Sequence, residues 1–187
     1  MKLHIFNPEH DIALAANQER FTAPHAGRRL RTDLGFIPAF WASEGDMVLV
    51  DDVEAAIEAR RHLSKFGKDV VFVTYADLKA FAFEDVESFQ VDPWGWDRTI
   101  KEQLLRANSN LQSFMPSDDT LAAIREMSSR RFAAEHLLPL LREAGEEKTI
   151  GEAHYCTTME KVKLTMAQNV KSVLKSPWSS SGRGVRY

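Results

Sequence analysis

Three groups of residues in this 187-residue chain combine types and spacing that can do chemistry. The first lies near the end, in Val173-Leu174-Lys175-Ser176-Pro177-Trp178-Ser179-Ser180-Ser181-Gly182-Arg183-Gly184-Val185. An apolar run delivers a lysine, a Ser-rich loop follows, and an arginine stands between two glycines. Lys175 supplies a point charge, the hydroxyls and loop amides supply donors, and the glycines let backbone approach a ligand closely. Such a set suits an anion with many oxygens. The second group is Asn7-Pro8-Glu9-His10-Asp11, where two carboxylates and an imidazole can hold a polar substrate or move a proton. The third is Met127-Ser128-Ser129-Arg130-Arg131-Phe132, a break followed by paired arginines at the start of a helical pattern.

Each group also has a plainer reading. The terminal loop can be a Ser-rich hairpin. Asp11 can cap a helix beginning at Ile12, with Glu9 solvated. A further cluster, His25, Arg28, Arg29 and Arg31, falls on a helical pattern in which His25, Arg28 and Arg29 share a face, and a solvated charged face is the common outcome. Pro93-Trp94-Gly95-Trp96-Asp97 reads first as a loop anchored to the core by its indoles. Two familiar nucleotide motifs are absent: Val185 stands where a Walker A loop needs its lysine, and Gly182 and Gly184 alone do not make a dinucleotide fingerprint.

Composition narrows the classes. Hydrophobic residues at 44% and charged residues at 27% are the proportions of a globular domain with a core of its own. A net charge of −3 gives no global basic field, so neither nucleic acid nor an anionic membrane surface is an expected partner. The single Cys156 excludes an internal disulfide framework and a cysteine-based zinc site, and no histidine pair has zinc-helix spacing, so no metal site is expected from these residues. No apolar run is long enough for a signal peptide or a membrane span, and a cytoplasmic location is the expectation.

The elements that must position these groups alternate. Leu3–Phe6 reads as a strand ending at Asn7-Pro8, followed by helices from Ile12 and over roughly Pro24–Leu34, with Gly35 as a stop. Phe36–Trp41 and Met47–Val50 read as strands, Val53–Phe66 as a helix, and Asp69–Thr74 as a buried strand. Phe89–Asp97 reads as a connecting loop. Helices are expected over Arg98–Asn108, from Ser117 through Met127, over Arg130–Arg142 and over Thr157–Asn169, with strands at Lys148–Tyr155 and Val170–Lys175. Strand and helix in alternation predict an α/β domain with a parallel sheet over residues 1–115 and a second domain over 116–187. Ligands of such sheets bind beyond the carboxyl ends of the strands, where Asn7–Asp11 falls.

Lys175 to Val185 resembles the phosphate-covering loop of the ATP-grasp superfamily of carboxylate–amine ligases, whose pattern is an apolar strand, a lysine, a Gly/Ser-rich loop and Gly-Arg-Gly-Val or a close variant. Met127 to Phe132 resembles the family's short break before a helix whose first basic residue reaches the phosphates; Arg130 fits that position best and Arg131 is the alternative. The resemblance implies a Rossmann-like, parallel-sheet pre-ATP-grasp domain over residues 1–115 that helps hold the acceptor, then the first part of an α+β ATP-grasp subdomain. It implies phosphate contacts from Lys175, Ser179, Ser180, Ser181, Gly182, Arg183, Gly184 and Arg130, and an acceptor site at Asn7, Glu9 and His10. It implies ATP and magnesium as cofactors and a small carboxylate as substrate, joined through an acyl phosphate to an amine or a thiol.

The loop departs from the family pattern in Pro177-Trp178 and in carrying three serines where several glycines are usual. The family's adenine hinge and magnesium ligands lie further along than Tyr187. The expectation is therefore a fragment that does not itself turn over ATP, whose uncovered apolar surface allows chains to pair as a homodimer. The contrasting reading is a non-catalytic α/β binding or interaction module. No residue is marked as catalytic, and a hydrolase built on Glu9, His10 and Asp11 has little else in its favour.

Overall fold

Alternation along the first strand sets the architecture. In β1 (Lys2–Ile5), Leu3 and Ile5 point to one face and His4 to the other, and all three are buried. Such a strand needs cover on both sides, which only a sheet with helices on both faces supplies. The computed structural model, which describes residues 1–62, 65–83, 88–145, 148, 150–179 and 184–186, has that form. β2 (Met47–Leu49), β3 (Val71–Val73) and β4 (Gln90–Pro93) join β1 in a four-stranded sheet of order β3-β2-β1-β4, every pairing parallel.

The two faces carry separate cores. Leu3, Ile5, Met47, Leu49 and Val73 pack with Leu78, Phe83, Phe89, Ile100, Leu104 and Leu111 on one side. Val48 and Val50 pack with Phe36 and Ala56 on the other. His4 lies at the register of Val48 and Asp92. Its Nε2 is 3.1 Å from Asp46 Oδ2, while its Nδ1 is 3.1 Å from Asp92 but out of line for a hydrogen bond. Burial works to raise the Asp46 carboxyl, but hydrogen bonds from Lys2 N, His4 and Ser43 N outweigh it and hold the group below the usual carboxylate range.

Between β1 and β2 run α1 (His10–Ala16) and α2 (His25–Leu34); α3 (Val53–Arg61) connects β2 to β3, α4 (Tyr75–Ala80) follows β3, and α5 (Arg98–Ala107) follows β4. Polar caps fix where three of them begin. Asp52 accepts from Ala55 N, Thr74 and Asp77 form a reciprocal capping box, and Asp97 accepts from Ile100 N. The chain moves from β1 to β2 to β3 in one direction and then returns to place β4 on the far side of β1. That reversal opens a crevice at the carboxyl ends of β1 and β4.

Several sequence expectations are corrected. Phe36–Trp41 is not a strand. Ile37–Phe40 is a 3₁₀ turn with Pro38 near its start, and Phe36 and Phe40 meet edge to face at 6.2 Å, a spacing of four rather than two. Phe89–Asp97 is more than a connection, because Gln90–Pro93 is β4; Pro93 is tolerated there as the last residue of an edge strand. Asp11 does not cap α1. The chain turns helical earlier, with Asn7 O accepting His10 N and Glu9 O accepting Ile12 N and Ala13 N, so Asp11 falls inside the first turn. Gly35 ends α2 with a helical φ of −54°, not a left-handed one. No strand is present among the described residues of 148–155, and the strand expected over Val170–Lys175 is confined to Leu174–Lys175.

The chain divides into two compact units, Met1–Leu121 and Ala122–Tyr187, with the division inside α6 (Asp118–Met127). The second unit contains α7 (Arg130–Phe132), which passes through a π-helical turn at Ala133–Leu137 into α8 (Leu138–Glu143), then α9 (Met159–Ala167). It ends in an antiparallel pair, β5 (Leu174–Lys175) and β6 (Val185–Arg186). Among its described residues Ser129 alone is buried; its apolar side chains are half-buried or exposed. No helix among the described residues is long and apolar enough to cross a membrane.

Candidate functional site

The crevice of the first unit is built by two loops that cross at the switch point. Asn7, leaving β1, donates from Nδ2 to Gly95 O at 2.8 Å and accepts at Oδ1 from Gly95 N at 3.2 Å. Its amide thus imitates one more rung of strand pairing and ties the β1 loop to the β4 loop. A second bond, Nδ2 to Asp97 Oδ2 at 3.4 Å, uses the remaining N–H. Asn7 is 2% exposed, so its role here is to hold the frame.

His10 leans on that frame. Its Nδ1 is 3.1 Å from Asp97 Oδ2, and its ring lies so close over Gly95 that a Cβ there would come within 2.3–2.4 Å of ring atoms. Gly95 is therefore required by close approach. Asp97, buried, serves three partners at once: Ile100 N as helix cap, Asn7 and His10. With its Nδ1–H given to a carboxylate, an imidazole keeps Nε2 as the acceptor, the tautomer that a proton-accepting histidine needs.

Glu9 departs from the solvated residue its sequence context suggested. It is 9% exposed, and its Oε1 accepts from Arg31 Nη1 at 2.8 Å across 22 residues. Its Oε2 is buried with no hydrogen-bond partner among the described residues. Burial raises the Glu9 carboxyl above its usual value, Arg31 opposes this, and Asp97 and Asp51 add to the rise. Tyr75, which opens α4, donates to Gln103 Oε1 at 3.1 Å, and burial pushes its phenol up to about 12. Glu9, Ala13, Arg31, Asp97, Thr99 and Gln103 surround a cavity of about 10 Å³. That is near the lower limit for a single water molecule.

Of the sequence candidates, Asn7, Glu9 and His10 do come together, joined by residues that the sequence did not single out for this place. Arg31 was visible only as one of a run of charges on α2, and the face read from His25, Arg28 and Arg29 is not the one that enters the crevice. Asp97 carried a usable signal, an aspartate immediately before a helical pattern. Tyr75 and Gln103 carried none. Trp96 packs against the core, whereas Trp94 is exposed and meets Phe6 at 5.8 Å and Trp41 at 6.2 Å. A wider groove of about 770 Å³ lies between α3 and β3, lined by Ile57, Arg60, Lys68 and Phe72 among others, away from the switch point.

The second candidate site is the hairpin of the second unit. Ser176 N donates to Gly184 O at 2.9 Å, closing β5 onto β6. Gly184 has φ +69°, and a Cβ there would come within 2.5 Å of Ser176 Oγ, so this position requires glycine. Arg130 reaches the loop with three bonds: Nη1 to Ser176 O at 2.6 Å and to Ser179 Oγ at 2.8 Å, and Nη2 to Ser179 O at 2.8 Å. Arg130 N also donates to Pro177 O at 2.9 Å. Trp178 donates to Arg125 O at 2.9 Å, and the Arg125 guanidinium lies over its ring at 3.9 Å. Pro177-Trp178, a departure in sequence, is thus the loop's anchor.

Arg131 turns elsewhere, pairing with Glu126 and Glu135 and lying over Tyr155. The Lys175 ammonium has no hydrogen bond or ion pair among the described residues. Ser180, Ser181, Gly182 and Arg183 lie outside the described residues. No cluster of three or more His, Cys, Asp or Glu among the described residues is arranged to hold a metal ion. Compared with family models, with curated proteins and with solved structures, the chain matches none.

Proposed function

We propose that the chain binds the phosphates of ATP on its second unit and a small carboxylate substrate on its first, as part of an ATP-dependent carboxylate–amine or carboxylate–thiol ligase of the ATP-grasp type. In that chemistry a carboxylate oxygen attacks the γ-phosphorus, the bond to ADP breaks, and an acyl phosphate forms. An amine or thiol then adds to the carbonyl carbon, inorganic phosphate leaves, and the nucleophile's proton passes to a base. Positioned positive charge and N–H donors around the phosphoryl oxygens are what this transfer demands. Lys175 supplies the charge, and Ser179 with the glycine-flanked end of the loop supplies the cover.

The observation that carries this reading is the meeting of Arg130 with the Lys175–Gly184 hairpin, 46 and 49 residues away along the chain. Two segments that resemble phosphate-binding parts of one family independently of each other converge on one place. A second reading, a non-catalytic binding module, is favoured by what Arg130 is bonded to: carbonyls and a hydroxyl of its own loop, the partners of a structural arginine.

Nucleotide affinity separates the two. The ligase reading expects saturable ATP binding that Lys175→Ala weakens at least about ten-fold, one charge-assisted contact being worth roughly 1.5–3 kcal/mol, with an unchanged melting temperature. Absence of ATP binding, or equal binding by the variant, eliminates it and leaves the module.

A further inference from the structure

Two features of the Glu9 crevice restrict what can occupy it. The first is size. The cavity of about 10 Å³ beside Glu9 admits a group no larger than a water molecule. A ligand that reaches the unpartnered Oε2 must do so with a terminal ammonium or hydroxyl, the rest of the molecule lying outside. The second is charge. Glu9 sits in the field of Asp51 and Asp97 as well as Arg31, three carboxylates against one guanidinium. Protonating His10 beside Asp97 still leaves the balance at one negative charge. A cation is favoured over a neutral hydroxyl.

Arg31 decides what the rest of the ligand carries. Its guanidinium is 23% exposed and gives one Nη1–H to Glu9, while its other N–H groups have no partner among the described residues. A guanidinium with a free edge is the usual receptor for a carboxylate. Glu9 and Arg31 thus present, side by side, a buried acceptor oxygen and guanidinium N–H groups without a partner among the described residues.

We infer that the Glu9–Arg31 pair is a recognition site for a small amino acid, its ammonium on Glu9 Oε2 and its carboxylate on the Arg31 N–H groups that Glu9 does not take. The inference deepens the acceptor site of the proposed function by naming its substrate class, and its test needs no nucleotide. Binding relieves the one buried carboxylate oxygen that has no donor among the described residues.

Calorimetric titration of the full chain with each of the twenty common amino acids tests it, with methylammonium chloride and sodium acetate as half-ligands. The expected result is saturable binding of at least one amino acid, weaker binding of both half-ligands, and a loss of about ten-fold or more in Glu9→Gln. Glu9→Gln keeps the acceptor for Arg31, so the frame survives; Arg31→Gln, with a similar loss, checks the other half. Binding by none of the twenty overturns the inference. So does equal affinity in Glu9→Gln, or acetate binding as tightly as the amino acids. A failure here leaves the ATP titration of Lys175→Ala unaffected, and the reverse also holds.

Discussion

Asp46→Asn is the substitution that most directly probes how the sheet is held. Asp46 is 5% exposed, and its carboxylate accepts from Lys2 N at 2.8 Å on one oxygen, and from Ser43 N at 2.9 Å and His4 Nε2 at 3.1 Å on the other. Asparagine fits the same space but turns one acceptor into a donor. Whichever way its amide faces, Lys2 N or Ser43 N loses its acceptor inside the protein. One part-buried donor left without its acceptor, together with the lost charge assistance on the other bonds, predicts a destabilisation of about 1–3 kcal/mol at neutral pH. Chemical denaturation followed by tryptophan fluorescence reads it, because Trp41, Trp94 and Trp96 lie in the first unit.

The pH dependence supplies a second readout. The folded-state pKa of Asp46 is depressed, so its stabilisation is fully present above the unfolded value near 3.8 and is lost as pH falls through the folded value. The stability gap between wild type and Asp46→Asn is therefore constant at higher pH and closes below the usual carboxylate range. A gap under about 0.5 kcal/mol, or one that does not change with pH, refutes the assignment of Asp46 as a charged clasp between β1 and the turn before β2.

Gly95→Ala places a Cβ within 2.3–2.4 Å of the His10 ring, displaces it from Asp97, and is expected to cost about 1–3 kcal/mol with an altered His10 ring NMR signal. Gly27→Ala is the matched control: its Cβ meets nothing closer than 3.6 Å inside α2, so a gain of about 0.4–1 kcal/mol is expected in the same denaturation assay. Gly184→Ala combines a φ of +69° with a contact of 2.5 Å to Ser176 Oγ; it should loosen the β5–β6 hairpin and speed hydrogen exchange at Ser176 N. Hydrogen exchange should also find the amides of Ala122–Tyr187 less protected than those of β1, β2 and α5, since that unit buries no apolar side chain among its described residues. Equal protection in both refutes this.

Elements whose burial pattern is local were legible. The run at Leu3–Phe6, the strand at Met47–Leu49 and the helix that begins at Arg98 all announce themselves through apolar spacing. Elements decided by a distant partner were not. Gln90–Pro93 contains a proline and no apolar alternation, and becomes a strand because the edge of β1 is open to it. Phe36–Trp41 looks like a strand from composition, yet Phe36 and Phe40 must share one core, which a helical turn allows and an extended chain does not.

The same division runs through the sites. The sequence by itself determined which residue types are available: the carboxylate and imidazole at 9 and 10, the lysine and glycine at 175 and 184, the arginine pair at 130 and 131. It also determined the alternation of the strands at 3–5, 47–49 and 71–73 with helices, because that alternation is read from periods of two and of 3.6 along one stretch of chain. Only the tertiary structure decided who partners whom. Glu9 changes from a solvated loop residue to a buried carboxyl because α2 brings Arg31 over it, and because β4 returns to the far side of β1 and brings Asp97 with it. Charge, desolvation and hydrogen bonding depend on distances of a few ångströms between residues tens of positions apart, and no local spacing encodes those distances.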